Sequence, residues 1–330
     1  MNVEKGFVDA PIEEGIDLKQ AILQLKKEKN AAILAHYYQK KEIQEVADFI
    51  GDSLALARIA QRLDNPIIVM CGVHFMGETA KILCPDKKVL LPDVNAGCSL
   101  ADSCKAEDLK KVKEENPGLT VVSYVNTTAD VKALTDVVVT SSNALQIVDA
   151  LPKDARILFG PDRNLGSYVS ARTGREMKIW DGACHVHEQF STEGIVAFKK
   201  EHPGAKVLVH PECKKSIVIL ADKVGSTAAL LKYAQQSDAA EFIVATEPGI
   251  IVEMQKSCPG KTFIPAPPET SEGTVGCGCN DCAYMKLNTL EKLYNTLKYE
   301  LPEVKVDEEV AAKAIKPIEK MLEMSEQLGI

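Results

Sequence analysis

Cysteine is the residue type whose number and spacing point most directly to chemistry in this sequence. The chain has ten cysteines among 330 residues. Cys98 and Cys184 lie 86 residues apart, and Cys282 follows 98 residues after Cys184. Cysteines in a reducing cytosol rarely form disulfides, so metal binding or catalysis becomes the stronger expectation. Three thiolates at one point can hold a [4Fe–4S] cluster and leave one iron open as a Lewis acid for a substrate oxygen.

The run Cys277-x-Cys279-x-x-Cys282 leaves two other interpretations open. It is compatible with half of a structural zinc site, although no second cysteine or histidine pair accompanies it at the usual spacing. Alternatively, Cys277 and Cys279 form a reversible disulfide. Only one thiol of the run is needed for a cluster, and we expect His185 and His187 to hydrogen bond beside it, with ligation by them as the alternative.

Polar side chains two residues apart follow three apolar runs that have the composition of buried strands. These pairs are His36 and Tyr38, Tyr124 and Asn126, and His210 and Glu212. Histidine has an ordinary pKa of about 6.5 and therefore suits proton transfer at neutral pH. Glu212 is a candidate general base if burial raises its pKa. The tyrosine hydroxyls and the Asn126 amide are suited to donating hydrogen bonds to developing oxyanions.

Hydroxyl residues precede a helical pattern at three further places. They are Ser53, Ser141 with Ser142, and Ser226 with Thr227. Each could serve simply as a helix N-cap, which stabilises a helix by about 1 kcal/mol. Helix starts also present free N–H groups and the positive end of the helix dipole, which bind carboxylates and phosphates. Three such starts around one cleft would suit a small polyanion, with Ser53, Ser141 and Thr227 as its expected contacts.

Equal spacing relates these groups to one another. In each case the strand-end residue and the hydroxyl residue are 17 positions apart, and an aspartate stands five positions before the hydroxyl. These aspartates are Asp48, Asp136 and Asp222, and the pattern repeats after 88 and then 86 residues. The chain is therefore expected to contain three copies of one structural unit.

Each copy shows the alternation of strand and helix that is typical of a parallel sheet. The predicted strands are 31–35, 66–70 and 89–91, then 121–123, 157–159 and 177–180, then 207–209, 242–245 and 262–264. This pattern predicts an α/β fold of three αβα sandwich units, related by a pseudo-threefold axis, with small parallel sheets around a central cleft. Ligands collect at the carboxyl ends of such strands, so the polar pairs and cysteine loops are expected to face that cleft.

Boundaries follow from the repeat and from the helical tail. The predicted units are 1–106, 107–190 and 191–287. Helices within 288–330 are expected to join the first unit and to brace it without any assigned chemistry. Asn288 or Thr289 is the predicted cap of the first of these helices, and the second is predicted to start at Asp307, with a kink or a break at Pro317.

Composition excludes several classes of protein. The chain carries 47 acidic and 39 basic residues, a net charge of −8, and no basic stretch is interleaved with aromatic residues. A nucleic-acid binder or a membrane-surface protein is therefore not expected. Apolar runs are far shorter than the roughly 20 residues of a membrane span, and the N-terminus lacks a signal pattern, so a cytoplasmic protein is expected.

Several motifs together resemble the quinolinate synthase family of NAD biosynthesis. They are AHYYQ (35–39), GDS (51–53), YVN (124–126), GPDRNLG (160–166), HPEC (210–213), GST (225–227) and CAYM (282–285). The similarity extends from about residue 17 to about residue 325. It implies a trimer-like arrangement of three αβα units, a [4Fe–4S] cluster, and condensation of iminoaspartate with dihydroxyacetone phosphate to quinolinate, with release of phosphate and two waters.

The resemblance also implies roles for individual residues. The implied cluster ligands are Cys98, Cys184 and Cys282, the last chosen from its run because Tyr284 and Met285 follow it as in the family. The implied substrate contacts are His36, Tyr38, Ser53, Tyr124, Asn126, Ser141, His210, Glu212 and Thr227. Of these, Glu212, His36, Tyr38 and Tyr124 are the expected catalytic residues. The implied partners are the two small-molecule substrates, with L-aspartate oxidase as a transient contact.

Three alternatives stay open at this point. The terminal reductase of the non-mevalonate isoprenoid pathway and the diphthamide-synthesis enzyme share the triplicated plan with one cysteine in each unit. Turnover without an external reductant would exclude the isoprenoid enzyme, because quinolinate synthesis consumes no net electrons. A non-catalytic redox sensor or scaffold, with Cys277 and Cys279 as its switch, would form no product and would leave three anion-suited helix starts unexplained.

Overall fold

The computed structural model describes residues 3–269 and 280–330, and these form three sheets of four parallel strands each. The first sheet comprises β1 (Ala31–His36), β2 (Phe49–Gly51), β3 (Ile67–Cys71) and β4 (Lys88–Leu90). The second comprises β5 (Leu119–Tyr124), β6 (Val137–Val139), β7 (Arg156–Gly160) and β8 (Met177–Ile179). The third comprises β9 (Lys206–Val209), β10 (Lys223–Val224), β11 (Glu241–Ala245) and β12 (Thr262–Pro265). The strand order β2-β1-β3-β4 recurs in each sheet, which confirms the predicted α/β fold of three units.

Helices connect and cover these strands. They are α1 (Leu18–Glu28), α2 (Lys41–Val46), α3 (Ser53–Arg62), α4 (His74–Leu83), α5 (Ser99–Ser103), α6 (Ala106–Glu115), α7 (Ala129–Lys132), α8 (Ala144–Ala150), α9 (Arg163–Thr173), α10 (Thr192–Glu201), α11 (Lys215–Val218), α12 (Thr227–Gln236), α13 (Ile250–Ser257), α14 (Leu290–Tyr299) and α15 (Glu308–Gln327). Every residue of β1 and β3 is buried, as expected for parallel strands that are covered on both faces. Across residues 3–269 and 280–330, no helix combines the length and the apolar character that crossing a membrane requires.

The strands agree with the sequence pattern except at one edge of each sheet. All nine predicted strands end within two residues of observed ones. The edge strands β2, β6 and β10 are not among the predicted strands, although β4 and β8, which are also short and also pair with a single neighbour, are.

The three repeated aspartates have one structural role in common. The carboxylate of Asp48 accepts a 2.8 Å hydrogen bond from the backbone N–H of Ile33 in β1. Asp136 accepts the equivalent bond from Val121 at 2.7 Å, and Asp222 accepts it from Val207 at 2.9 Å. Each aspartate therefore ties the segment before an edge strand to the first strand of its sheet. The repeat seen in the sequence is also a repeat of hydrogen bonds.

The C-terminal helices pack against two different units. Thr289 caps α14, and this helix lies against α1. Asp307 caps α15, which packs against α4 on one side and against α7 and β6 on the other. A break at Pro317 is excluded, because α15 continues through this residue as one helix of 20 residues, and the alternative of a kink stays a prediction. The unit boundaries at 106, 190 and 287 stay a prediction.

Candidate functional site

A single cavity collects the residues that the sequence analysis selected. It lies where the carboxyl ends of β1, β5 and β9 meet. Twelve predicted residues line it: Cys98, Cys184, Cys282, His36, Tyr38, Ser53, Tyr124, Asn126, Ser141, His210, Glu212 and Thr227. The individual roles assigned to these residues stay predictions, but all of them are available to one bound ligand.

The three cysteines reach the cavity from three separate loops. Cys98 stands at the N-terminal end of α5, whereas Cys184 and Cys282 each precede a short 3₁₀ helix. Burial raises the pKa of Cys98 to about 12 and that of Cys282 to about 11, and it raises the pKa of Cys184 as well. The negative charges of the neighbouring thiolates and of Glu212 contribute to these increases. The sulfurs therefore lie close enough to influence one another, and a metal would have to displace their protons.

Glu212 is a buried carboxylate of the cavity with partners from two other segments of the chain. It is 3% exposed, and its Oε1 accepts a 2.5 Å hydrogen bond from the Tyr124 hydroxyl. Its Oε2 lies 2.9 Å from Nδ1 of His187. Burial by itself would raise the Glu212 pKa, but the imidazoles of His187 and His210 and the bond from Tyr124 hold it well below its usual range. A raised pKa, the condition for Glu212 to act as a general base, is therefore not found, and Glu212 is a carboxylate that orients its donors.

A chain of hydrogen bonds continues from Glu212 to Tyr38. Nε2 of His187 lies 3.0 Å from Oγ1 of Thr246, and this oxygen lies 2.8 Å from the Tyr38 hydroxyl. His187 and Thr246 are each 1% exposed. Burial and the charge of Glu212 raise the pKa of Tyr38 well above its usual value, so this hydroxyl keeps its proton at rest.

The sequence analysis missed Thr246 and did not assign His187 to this chain. Thr246 directly follows β11, the second of the two central strands of the third sheet, whereas the polar pairs were sought only after the first strand of each unit. A search for polar residues at the ends of all central strands would have found it. His187 was expected only to hydrogen bond beside Cys184, and its Nδ1 does lie 3.1 Å from that sulfur.

His36 and His210 have equivalent environments at the ends of two first strands. Nδ1 of His36 accepts a hydrogen bond from the backbone N–H of Tyr38, and Nδ1 of His210 accepts one from Glu212. Nε2 therefore carries the proton in each neutral ring. Burial lowers the pKa of each histidine to about 3. At neutral pH both rings are therefore neutral and can donate a hydrogen bond from Nε2, and the proton exchange expected of them stays a prediction.

Ser53 and Thr227 do not cap the helices α3 and α12. Asp52 caps α3 through the N–H of Ala55, and Ser226 caps α12 through the N–H of Ala229. Ser53 and Thr227 are the first residues of these helices and line the cavity. Capping therefore does not explain Ser53 or Thr227.

The turn before α8 is tied to the start of α3. Ser142 donates a 2.8 Å hydrogen bond to the Asp52 carboxylate, and Ser141 lines the cavity beside it. Asn143 accepts hydrogen bonds from Thr140 and so shapes the turn. The second hydroxyl-bearing turn is therefore held next to the first by direct contact between two units.

A buried ion pair fixes the segment that holds Cys282. The Glu247 side chain is 0% exposed, and its Oε1 lies 2.7 Å from the Lys286 ammonium. The same carboxylate accepts hydrogen bonds from the N–H groups of Cys282 and Gly249. Lys286 also donates to the backbone oxygen of Tyr38 at 2.7 Å. This pair therefore joins the first unit, the third unit and the cysteine segment, whereas Cys277 and Cys279 lie outside the described residues.

Comparison with known proteins identifies the family of the chain. The family described as Quinolinate synthetase A protein matches residues 20–323. The quinolinate synthase of Nostoc punctiforme is 56% identical over 310 residues, which cover 94% of each chain. That of Chloroherpeton thalassium is 53% identical over 310 residues, covering 94% of this chain and 95% of its own. These similarities favour the family indicated by the motifs over the two related cluster enzymes. The chain is an enzyme that belongs to the quinolinate synthase family.

Proposed function

We propose that this protein is a cytosolic quinolinate synthase. It condenses iminoaspartate with dihydroxyacetone phosphate and releases quinolinate, phosphate and two waters. The observation that carries this proposal is the meeting of three cysteines, three hydroxyl-bearing turns and the chain from Glu212 to Tyr38 at one cavity. The names of the curated relatives support the choice of reaction.

A [4Fe–4S] cluster on Cys98, Cys184 and Cys282 is part of the proposal. The donor set fits, because three half-buried thiols from separate loops line one cavity and influence one another's protonation. When bound through three cysteines, such a cluster supplies an open iron that acts as a Lewis acid on a substrate oxygen. His187 contacts the sulfur of Cys184 and thereby orients this ligand.

Helix starts and neutral histidines would hold the anionic groups of the substrates. Ser53 and Thr227 combine a hydroxyl with the free N–H groups of the first turns of α3 and α12. Ser141 adds a third hydroxyl from the neighbouring turn. His36 and His210 donate from Nε2 without bringing a charge that would depend on pH. This set suits two carboxylates and a phosphate.

The hydrogen-bond chain from Tyr38 to Glu212 would carry a proton away from the Tyr38 hydroxyl. Because burial raises the pKa of Tyr38, a phenolate needs a base that accepts its proton at the moment of reaction. In this proposal Tyr38 gives its proton to Oγ1 of Thr246, while the Thr246 proton passes to Nε2 of His187. Glu212 then stabilises the imidazolium through Nδ1. The Tyr124 hydroxyl keeps the Glu212 carboxylate in place.

One macromolecular contact is included in the proposal. Iminoaspartate is an imine, and imines hydrolyse in water, so rapid delivery to the cavity would protect the substrate. A transient contact with L-aspartate oxidase would provide such delivery. It is tested by comparing quinolinate yield from the mixed enzymes with the yield when the two are separated by a dialysis membrane.

The proposal is tested by anaerobic purification, iron and sulfide analysis, and a quinolinate assay without external reductant. We expect about four irons and four sulfides per chain and formation of quinolinate. Cys184→Ser should remove the brown absorbance and the activity. Cys258→Ser is the matched control, because Cys258 is a free buried cysteine that does not line the cavity. Unchanged iron content and full activity in Cys184→Ser would refute the cluster, and the absence of quinolinate from loaded enzyme would refute the reaction.

A further inference from the structure

One side of the cavity holds a compact group of three side chains of the types that bind metals. A sulfur of Cys184, a ring nitrogen of His187 and a carboxylate oxygen of Glu212 all lie within 4.8 Å of one another. Nδ1 of His187 is central to the group, at 3.1 Å from Sγ of Cys184 and 2.9 Å from Oε2 of Glu212. These contacts are shorter than two ligands of one metal would allow, so in the metal-free state they are hydrogen bonds.

The donor set matches the preferences of zinc. Zinc binds thiolate at about 2.3 Å, imidazole at about 2.0–2.1 Å and carboxylate at about 2.0–2.2 Å. In a tetrahedron with these bond lengths, the nitrogen is ~3.6 Å from the sulfur and ~3.4 Å from the oxygen. The three side chains therefore need to separate by only about half an ångström at each contact to admit the ion.

Outer hydrogen bonds already hold two of the ligands in the required orientation. Nε2 of His187 faces Oγ1 of Thr246 at 3.0 Å, which leaves Nδ1 directed toward the other ligands. The Tyr124 hydroxyl binds Oε1 of Glu212 at 2.5 Å, which leaves Oε2 for a metal. Metal-binding histidines and carboxylates commonly have such partners, and these partners increase the affinity for the ion.

Charge favours this set over a site on the three cysteines. One thiolate and one carboxylate balance the two positive charges of a zinc ion, so the buried complex is neutral. Three thiolates would leave a net negative charge beside the Glu212 carboxylate, in a place where an unpaired buried charge is costly. Because all three ligands line the cavity, the fourth position of the ion remains open to water.

We infer that the chain without its cluster binds one zinc-type divalent ion at Cys184, His187 and Glu212. The Cys184 thiol releases its proton to solvent, and the His187 proton moves from Nδ1 to Nε2, where Thr246 accepts its hydrogen bond. The ion binds the sulfur of Cys184, which the proposed cluster needs. It also binds Nδ1 of His187 and Oε2 of Glu212, which belong to the proposed proton chain. The bound ion should therefore prevent cluster loading and activity. Only this consequence rests on the proposed function.

The experiment uses Co²⁺ as a spectroscopic probe for zinc. The full chain, prepared without iron and sulfide, is titrated with Co²⁺ in the absence of oxygen. We expect one equivalent to give a thiolate-to-cobalt charge-transfer band and the intense visible bands of four-coordinate cobalt, both abolished by excess Zn²⁺. Cys184→Ala should lose the charge-transfer band, and Glu212→Gln should weaken binding at least tenfold. No saturable binding in the full chain would overturn the inference.

Two matched variants distinguish this site from one built on three thiolates. Cys98→Ser and Cys282→Ser each remove a cavity thiol that is not part of the compact group, and both should keep the cobalt spectrum and its stoichiometry. Loss of the charge-transfer band in either variant would mean that the ion sits on the cysteines, and the inference would be wrong. A measurement without variants supports this comparison: Zn²⁺ should protect Cys184, but not Cys98 or Cys282, from alkylation, as read by mass spectrometry. Activity of enzyme loaded with iron and sulfide, assayed without zinc, tests the proposed function separately.

Discussion

The Tyr124 hydroxyl and the Glu212 carboxylate form a 2.5 Å hydrogen bond across 88 residues of sequence. Tyr124 ends β5 in the second sheet, whereas Glu212 follows β9 in the third. Burial of Tyr124 and the charge of Glu212 raise the Tyr124 pKa well above its usual value. The bond therefore joins a neutral phenol to an ionised carboxylate and fixes the position of both at the cavity wall.

Tyr124→Phe should lower kcat by about 100-fold, because Glu212 loses a charge-assisted donor and no longer holds His187 in one position. Steady-state kinetics on the cluster-loaded enzyme measures the effect. Tyr233→Phe is the matched control, since Tyr233 does not line the cavity. A kcat within twofold of that of the unmodified enzyme would show that Tyr124 is not needed for catalysis.

Thr246→Val should lower kcat by about 100-fold and leave KM nearly unchanged. The hydroxyl of Thr246 contacts Tyr38 and His187, so its loss interrupts the proton chain behind the cavity wall. Thr246→Ser keeps the hydroxyl and should restore most of the activity. Full activity in the valine variant, which keeps the methyl group and lacks the hydroxyl, would show that the hydroxyl does not carry a proton.

Acid should destabilise the protein from about pH 6.5 downward. Burial lowers the pKa of His36 and His210 to about 3, whereas the unfolded chain protonates histidine near pH 6.5. Between these values the unfolded state binds more protons, so each histidine lowers the free energy of unfolding by up to about 1.4 kcal/mol per pH unit as the pH falls. Glu212, whose pKa is also lowered, adds a loss in the same direction below its unfolded pKa.

Urea unfolding at several pH values between 7 and 4 measures this dependence. His36→Gln should reduce the slope by the contribution of one proton, whatever its effect on absolute stability. His202→Gln, at a histidine paired with Glu241 near the surface, provides the comparison. An unchanged slope in His36→Gln would mean that this ring is already protonated in the folded enzyme at mildly acidic pH.

Glu247→Gln should loosen the segment that holds Cys282. A glutamine amide nitrogen must face either the Lys286 ammonium or the N–H of Gly249, and both are donors. In cluster-free protein we expect alkylation of Cys282 to become about tenfold faster, and in loaded protein we expect faster bleaching in air. Glu253→Gln, in a surface pair with Lys256, is the matched control. Equal alkylation rates in both variants would show that the ion pair does not position the cysteine.

The sequence predicts the repeated parts of this structure well. Continuous apolar runs locate β1, β5 and β9, and the common spacing places the residues after them at one cavity, because equivalent units turn equivalent ends toward each other. Cys98 and Cys184 follow the same rule, since they are one period apart. Even Cys282, which departs from the period, is brought to the cavity, where Glu247 binds its backbone.

The unpredicted parts depend on contacts between units. Thr246 meets His187 and Tyr38 across 59 and 208 residues, and local propensity contains no information about such partners. The low pKa of Glu212 likewise depends on His187 and Tyr124 in other segments, whereas burial alone suggested the opposite direction. The relative orientation of the sheets determines the hydrogen-bond partners and the sign of a pKa shift. A periodic sequence pattern contains no information about this orientation.

The aspartates Asp48, Asp136 and Asp222 make the same bond in each unit, but the positions that face the cavity have diverged into a phenol at Tyr38, an amide at Asn126 and a carboxylate at Glu212. A cavity with three identical walls would accept a small molecule in three indistinguishable poses, and two thirds of the encounters would present the wrong atom to a given side chain. Here the framework has stayed symmetric while the lining has lost its symmetry. A reactant with unlike ends can therefore settle in a single pose.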